Sequence, residues 1–130
     1  MEAFRKAAES GDAAAAEALL ADDVVFHSPV AYKPYPGKPL TAAILRAALR
    51  VFENLHYVRE ISSPDGRDHA LVFRATVGGK DVNGCDFLHL NDEGLIDELT
   101  VMVRPLSGAH ALAEAMGAEF ERVRREAQSG

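Results

Sequence analysis

Asp86 stands in the middle of the run VNGCDFLHL, with apolar neighbours on both sides. A carboxylate among apolar side chains is costly unless it is paired or neutral, and a neutral buried acid can donate a hydrogen bond or pass a proton. Two further protic groups, His27 and Ser28, are adjacent in VVFHSPV. Histidine changes charge near neutral pH, whereas a serine hydroxyl is a poor base without a partner. Together these residue types offer cofactor-free proton transfer, with Asp86 and His27 as candidate catalytic groups, or anchorage for the polar group of a ligand. Strand alternation sends His27 and Ser28 to opposite faces unless a bulge near Pro29 reverses one of them. Asp86 has a plainer alternative, an ion pair with Arg74 or Arg104.

Other chemistries find little support. His56, His69, His89 and His110 are scattered, with no His-x-His or His-Glu-x-x-His spacing, so no metal site is expected. No Gly-x-Ser-x-Gly elbow surrounds Ser28. Gly78-Gly79 joins two strands and opens no helix, so no phosphate loop or cofactor site is expected. Cys85 is the only cysteine, which excludes an intrachain disulfide and points to a reducing cytoplasm. The net charge of −6 makes nucleic acid an improbable partner. No apolar run is long enough to span a membrane, and the N-terminus lacks the apolar core of a signal peptide.

The elements that would position these residues follow from periodicity. Helices are expected over 1–10 and 13–20, the second capped by Asp12, and a strand over 24–29. Residues 29–39 hold four prolines, with Tyr32 and Tyr35 between them, and read as a stiff loop. A helix from 39 or 41 to 53 carries the apolar stripe Ile44, Leu45, Ala48, Leu49 and Phe52. Strands over 55–62, 69–77, 82–90 and 95–104 form a meander, and a last helix covers about 107–127. The 130 residues suit a single domain, 1–130. The expected class is α+β: a strongly curved, mostly antiparallel sheet wrapped as a cone around N-terminal helices, with a C-terminal helix. The mouth of such a cone suits a small-molecule pocket, with Tyr32 and Tyr35 at its border.

The runs ADDVVFHSPV and GCDFLHLNDEGLIDELTVMVRP, with the helix between them, resemble the nuclear transport factor 2-like superfamily, in particular its SnoaL-like and ketosteroid isomerase-like branches. The resemblance covers nearly the whole chain. It implies that Asp86 falls where ketosteroid isomerases carry the protonated acid of their oxyanion hole, an example the general physics of buried acids already includes. Ser28 falls where they carry the proton-moving aspartate, and Phe4 where they carry a tyrosine. With two of three positions changed, steroid isomerisation by that mechanism is not expected. The Asp-Arg-Asp set of limonene epoxide hydrolases fares no better: Arg74 is in place, but Thr76 and Val101 stand where carboxylates are needed. An acid-base pair of the SnoaL polyketide cyclase kind could be met by Asp86 and His27.

By the same resemblance Leu99, Val101 and Val103 face inward. The expected pocket includes Phe4, Ser28, Tyr32, Tyr35, Arg74, Leu88, Leu99, Val101 and Val103, and its ligand is a small apolar or carbonyl-bearing molecule. The outward set of the last strand is partly apolar too, and with the resemblance it implies a homodimer formed through the sheet. The alternative function is a non-catalytic ligand carrier or dimerisation module.

Overall fold

The computed structural model describes residues 1–129, and Gly130, the end of the expected domain, lies outside them. Helix α1, Glu2–Ser10, ends on Gly11, whose φ of 71° is a left-handed conformation that glycine adopts without a Cβ penalty. Asp12 then caps α2, Ala13–Glu17, by accepting the Ala15 N–H at 3.1 Å. Helix α2 stops short of the expected residue 20 because the following residues are captured by a sheet. The Ile96 N–H donates to the Leu19 carbonyl, and Leu20 opens strand β1, Leu20–His27.

The proline-rich segment holds a two-residue strand that its composition hid. Strand β2, Tyr35–Pro36, pairs with Val25 and Phe26 of β1 at the sheet edge, where a proline's missing donor is tolerated. Helix α3 covers Lys38–Val51, followed by β3 (Glu53–Ser62), β4 (Asp68–Val77), β5 (Lys80–Leu90), β6 (Ile96–Arg104) and α4 (Leu106–Ser129). Gly78 and Gly79, both at positive φ, close the β4–β5 hairpin.

The six strands form one sheet in the order β2-β1-β6-β5-β4-β3. Only β1–β6 is parallel; every other pairing is antiparallel. Alternation gives the sheet one apolar inner face: Val24 and Phe26 of β1, Leu71, Phe73, Ala75 and Val77 of β4, Leu88 of β5 and Leu99 of β6 are all buried. The helices cover that face, α1 with Phe4 and Ala7, α3 with Ile44, Leu45 and Ala47, and α4 with Leu112 and Val123. Fold and class are thus the α+β arrangement that the pattern of elements implies.

Two glycines serve packing. A Cβ on Gly84 would lie 2.3 Å from Cζ of Phe73, so the Phe73 ring rests directly over the β5 backbone. A Cβ on Gly108 would meet Val82 at 2.7 Å, so α4 needs that glycine to approach β5 closely. Arg46 and Arg50 of α3 hold α4 from the other side through ion pairs with Glu126 and Glu119.

Candidate functional site

A cavity of about 270 Å³ lies between the inner face of the sheet and helices α1, α3 and α4. Its wall is apolar and rich in rings: Phe4, Phe26, Phe52, Phe73 and Phe120, with Leu45, Leu99, Leu112 and Met116 between them. The side chains with polar atoms on that wall are Ser28, Tyr35, Tyr57 and Asp86. Among the described residues no lysine, arginine or histidine lines it.

Asp86 is 6% exposed, and its alternation partners on β5 also point inward. Its hydrogen-bond partner is Tyr57, whose hydroxyl donates to Oδ2 at 2.6 Å. Neither Arg74 nor Arg104 reaches it. Both are exposed, and both pair with Asn83 on the outward parity of the sheet, so the ion-pair alternative is overturned. Burial without a cation pushes the Asp86 carboxyl up to about 7, and the Tyr57 hydrogen bond pulls in the opposite direction. Burial, reinforced by the neighbouring Asp86, raises Tyr57 far above the ordinary phenol range. Near neutral pH the pair therefore holds a phenolic proton and a carboxyl poised between neutral and charged.

Tyr57 shares the inward parity of Leu55 and stands opposite the inward-facing Phe73, and the strand becomes irregular just after it. Tyr57 pairs with Phe73 but Arg59 pairs with Val72, so β3 takes two steps where β4 takes one, leaving Val58 as the extra, exposed residue of a bulge. The Tyr57 N–H donates instead to Oε2 of Glu9 on α1, at 2.7 Å. The Tyr57 ring meets Phe73 edge-on with centroids 6.0 Å apart.

The other expected site residues divide. Phe4, Ser28, Tyr35, Leu99 and Val101 line the cavity together with Asp86. Ser28 Oγ accepts the Val30 N–H at 3.1 Å, and Tyr35 packs near Phe26. His27 takes the outward parity, beside Thr100, with Nε2 3.3 Å from Glu98 Oε2, so it is no partner for Asp86. Tyr32 is fully exposed and does not touch the cavity. Arg74 points outward, as described. Leu88 is buried in the core rather than on the cavity wall, and Val103 packs against the cluster of Phe73, Val82 and Leu112. Tyr57 carried no signal beyond its place on a strand.

Among the described residues no group of three His, Cys, Asp or Glu side chains could hold a metal ion. Nor is any helix long and apolar enough to cross a membrane.

Residues 1–99 match the family model of the SnoaL-like domain. The chain is 40% identical to a steroid delta-isomerase from Pseudomonas aeruginosa, with 92% of this chain and 87% of that one covered and a TM-score of 0.87. It is 34% identical to a Silicibacter pomeroyi protein with a cystatin-like fold, covering 96% and 92% of the two chains at a TM-score of 0.86. A nuclear transport factor 2-like protein from Cytophaga hutchinsonii, 21% identical over 80% of this chain and 86% of that one, shares the fold at a TM-score of 0.62. No curated protein matches the chain. With its helices gathered on the inner face of a mixed sheet and this match over most of its length, the chain belongs to the SnoaL-like domain family.

Proposed function

We propose that this protein, as a single domain over 1–130, binds a small, mostly apolar, carbonyl-bearing molecule in the cavity, its carbonyl held by Asp86. The observation that carries this is the Tyr57–Asp86 pair, 2.6 Å apart at an otherwise ring-lined wall. Tyr57 donates to one carboxyl oxygen. The other, when protonated, donates to a ligand carbonyl and stabilises the negative charge that grows there if a neighbouring proton is removed. Support for a carbonyl ligand also comes from the similarity to the P. aeruginosa steroid delta-isomerase. The reaction, where there is one, is cofactor-free proton transfer of the isomerase or cyclase kind, with Asp86 as the acid.

A second reading is favoured by one observation: among the described residues the cavity wall has no carboxylate besides Asp86, and no histidine. With Ser28 in place of a stronger base, the protein would bind its ligand without turning it over.

The test is a thermal-shift screen of wild type and Asp86→Leu against hydrophobic ketones, including steroids, terpenoids and polyketide fragments. A ligand at ~100 times its dissociation constant adds roughly 2.7 kcal/mol of stability. Shifts in the wild type that vanish in the variant support the site; shifts equal in both exclude Asp86 as the anchor. A compound that shifts the wild type and is recovered unchanged after long incubation favours the carrier.

The assembly we propose is a homodimer through the outer sheet face, where Ile61, Phe87 and Met102 are exposed, and the compartment is the cytoplasm, in keeping with the lone thiol of Cys85.

A further inference from the structure

Gly117 lies in the interior of α4 and on the cavity wall. Glycine is among the poorest helix formers, so a glycine there asks for a reason. The other described glycines have one: Gly11, Gly37, Gly66, Gly78, Gly79 and Gly94 sit at positive φ, while Gly84 and Gly108 make room for Phe73 and Val82. At Gly117 φ is not positive, and a Cβ would meet no atom within 4 Å. The space in front of it is open.

That space is the mouth of the cavity. Of the lining residues, Val30, Ala113 and Gly117 are the solvent-exposed ones, so the cavity opens between the segment after β1 and α4. Ala113 and Gly117 are one helical turn apart and share a face, so the α4 side of the rim carries one methyl group and one hydrogen. At the other end stands Asp86, more than nine-tenths buried. A ligand anchored at Asp86 and longer than the cavity can extend past these two small residues.

We propose that Gly117 is a specificity-determining residue, which keeps the mouth open for the apolar tail of an elongated ligand whose carbonyl sits at Asp86. This rests on the function proposed above and adds a shape to it: a polar head inside and a hydrocarbon extension that crosses the rim. A larger side chain at 117 would leave the anchor intact and close the exit.

The test is calorimetric titration of 4-alkylcyclohexanones, from methyl to octyl, into wild type, Gly117→Ala, Gly117→Leu and Asp86→Leu, with melting curves showing that each variant is folded. In wild type the affinity rises along the series. In Gly117→Leu the methyl compound binds within about twofold of wild type while the octyl compound weakens at least roughly tenfold, the scale set by a few methylenes' worth of pocket contact. Gly117→Ala falls between them. If Gly117→Leu binds the whole series as wild type does, the specificity role is overturned and the anchor stands. If the length effect appears but Asp86→Leu binds the methyl compound normally, the gate stands and the anchor falls. Binding of no member to wild type overturns both.

Discussion

Tyr57 and Asp86 meet across a strand that belongs to neither. Tyr57 lies on β3 opposite Phe73 and Asp86 on β5 opposite Leu71, with β4 between them, and the phenol reaches over to donate at 2.6 Å. Strands two places apart are separated by about 9–10 Å along the sheet. Only a long side chain on the same face closes that gap. Phe4, also on the cavity wall, has no hydroxyl to give; the phenol that reaches the acid comes from β3.

The pH dependence of stability follows from Asp86. Its carboxyl is raised from an ordinary 3.8 to about 7, so the folded state binds a proton that the unfolded state has released. The resulting stability is fully present below pH ~4 and is lost as the pH rises through about 7. Compared with Asp86→Asn, wild type should lose on the order of 4 kcal/mol at most over that interval. Denaturant titrations of both proteins from acid to neutral pH read the difference; parallel curves would mean that the Asp86 carboxyl titrates alike in the folded and unfolded states.

Replacing Tyr57 by Phe removes one neutral hydrogen bond and should cost about 1 kcal/mol in acid, where Asp86 is protonated. The bond also favours the carboxylate, so the Asp86 titration midpoint should move upward in the variant. Carboxyl carbon chemical shifts followed through the pH range would show it. A downward move would mean that the pair does not exist in solution.

Glu9 positions Tyr57 without touching the cavity. It accepts the amide left unpaired by the bulge, so Glu9→Ala should weaken any ligand that depends on the Tyr57–Asp86 pair and shift the Asp86 midpoint upward, as Tyr57→Phe does. Glu9→Gln keeps an acceptor oxygen and should restore both. A purely structural role would lower the melting temperature in Glu9→Ala and leave the midpoint where it was.

On the outer face, Phe87 and Met102 lie on neighbouring strands, next to the Cys85–Met102 and Phe87–Thr100 register pairs. Charges placed at both positions should convert a dimer to a monomer in sedimentation velocity, with the melting curve of the monomer little changed. A wild type that sediments as a monomer at micromolar concentration excludes the interface.

Much of this architecture was legible because it rests on periodicity and on turn chemistry. The apolar stripe Ile44–Phe52, the Gly78-Gly79 turn and the Asp12 cap each point to one local structure, and each forms. Asp86 stood out because a charge at the centre of an apolar strand is expensive. Its partner did not, since Tyr57 lies 29 residues earlier in the chain and two strands away, and meets Asp86 only once the sheet is assembled. Tyr32 failed for the opposite reason: an aromatic in a proline-rich loop looks like a clasp, but the short strand β2 draws Tyr35 to the cavity wall and leaves Tyr32 in water. Gly84 gave no sign of its part as the floor on which Phe73 lies.

The match to the family model ends at residue 99, yet α4, which closes the cavity, begins at Leu106. The anchor and the roof therefore sit on separate stretches of chain, joined at Pro105 and clamped by Arg46 and Arg50. A terminal helix of this kind is an exchangeable cassette: swapping it between relatives that keep the clamp would redraw the shape of accepted molecules while leaving the acid that greets them untouched.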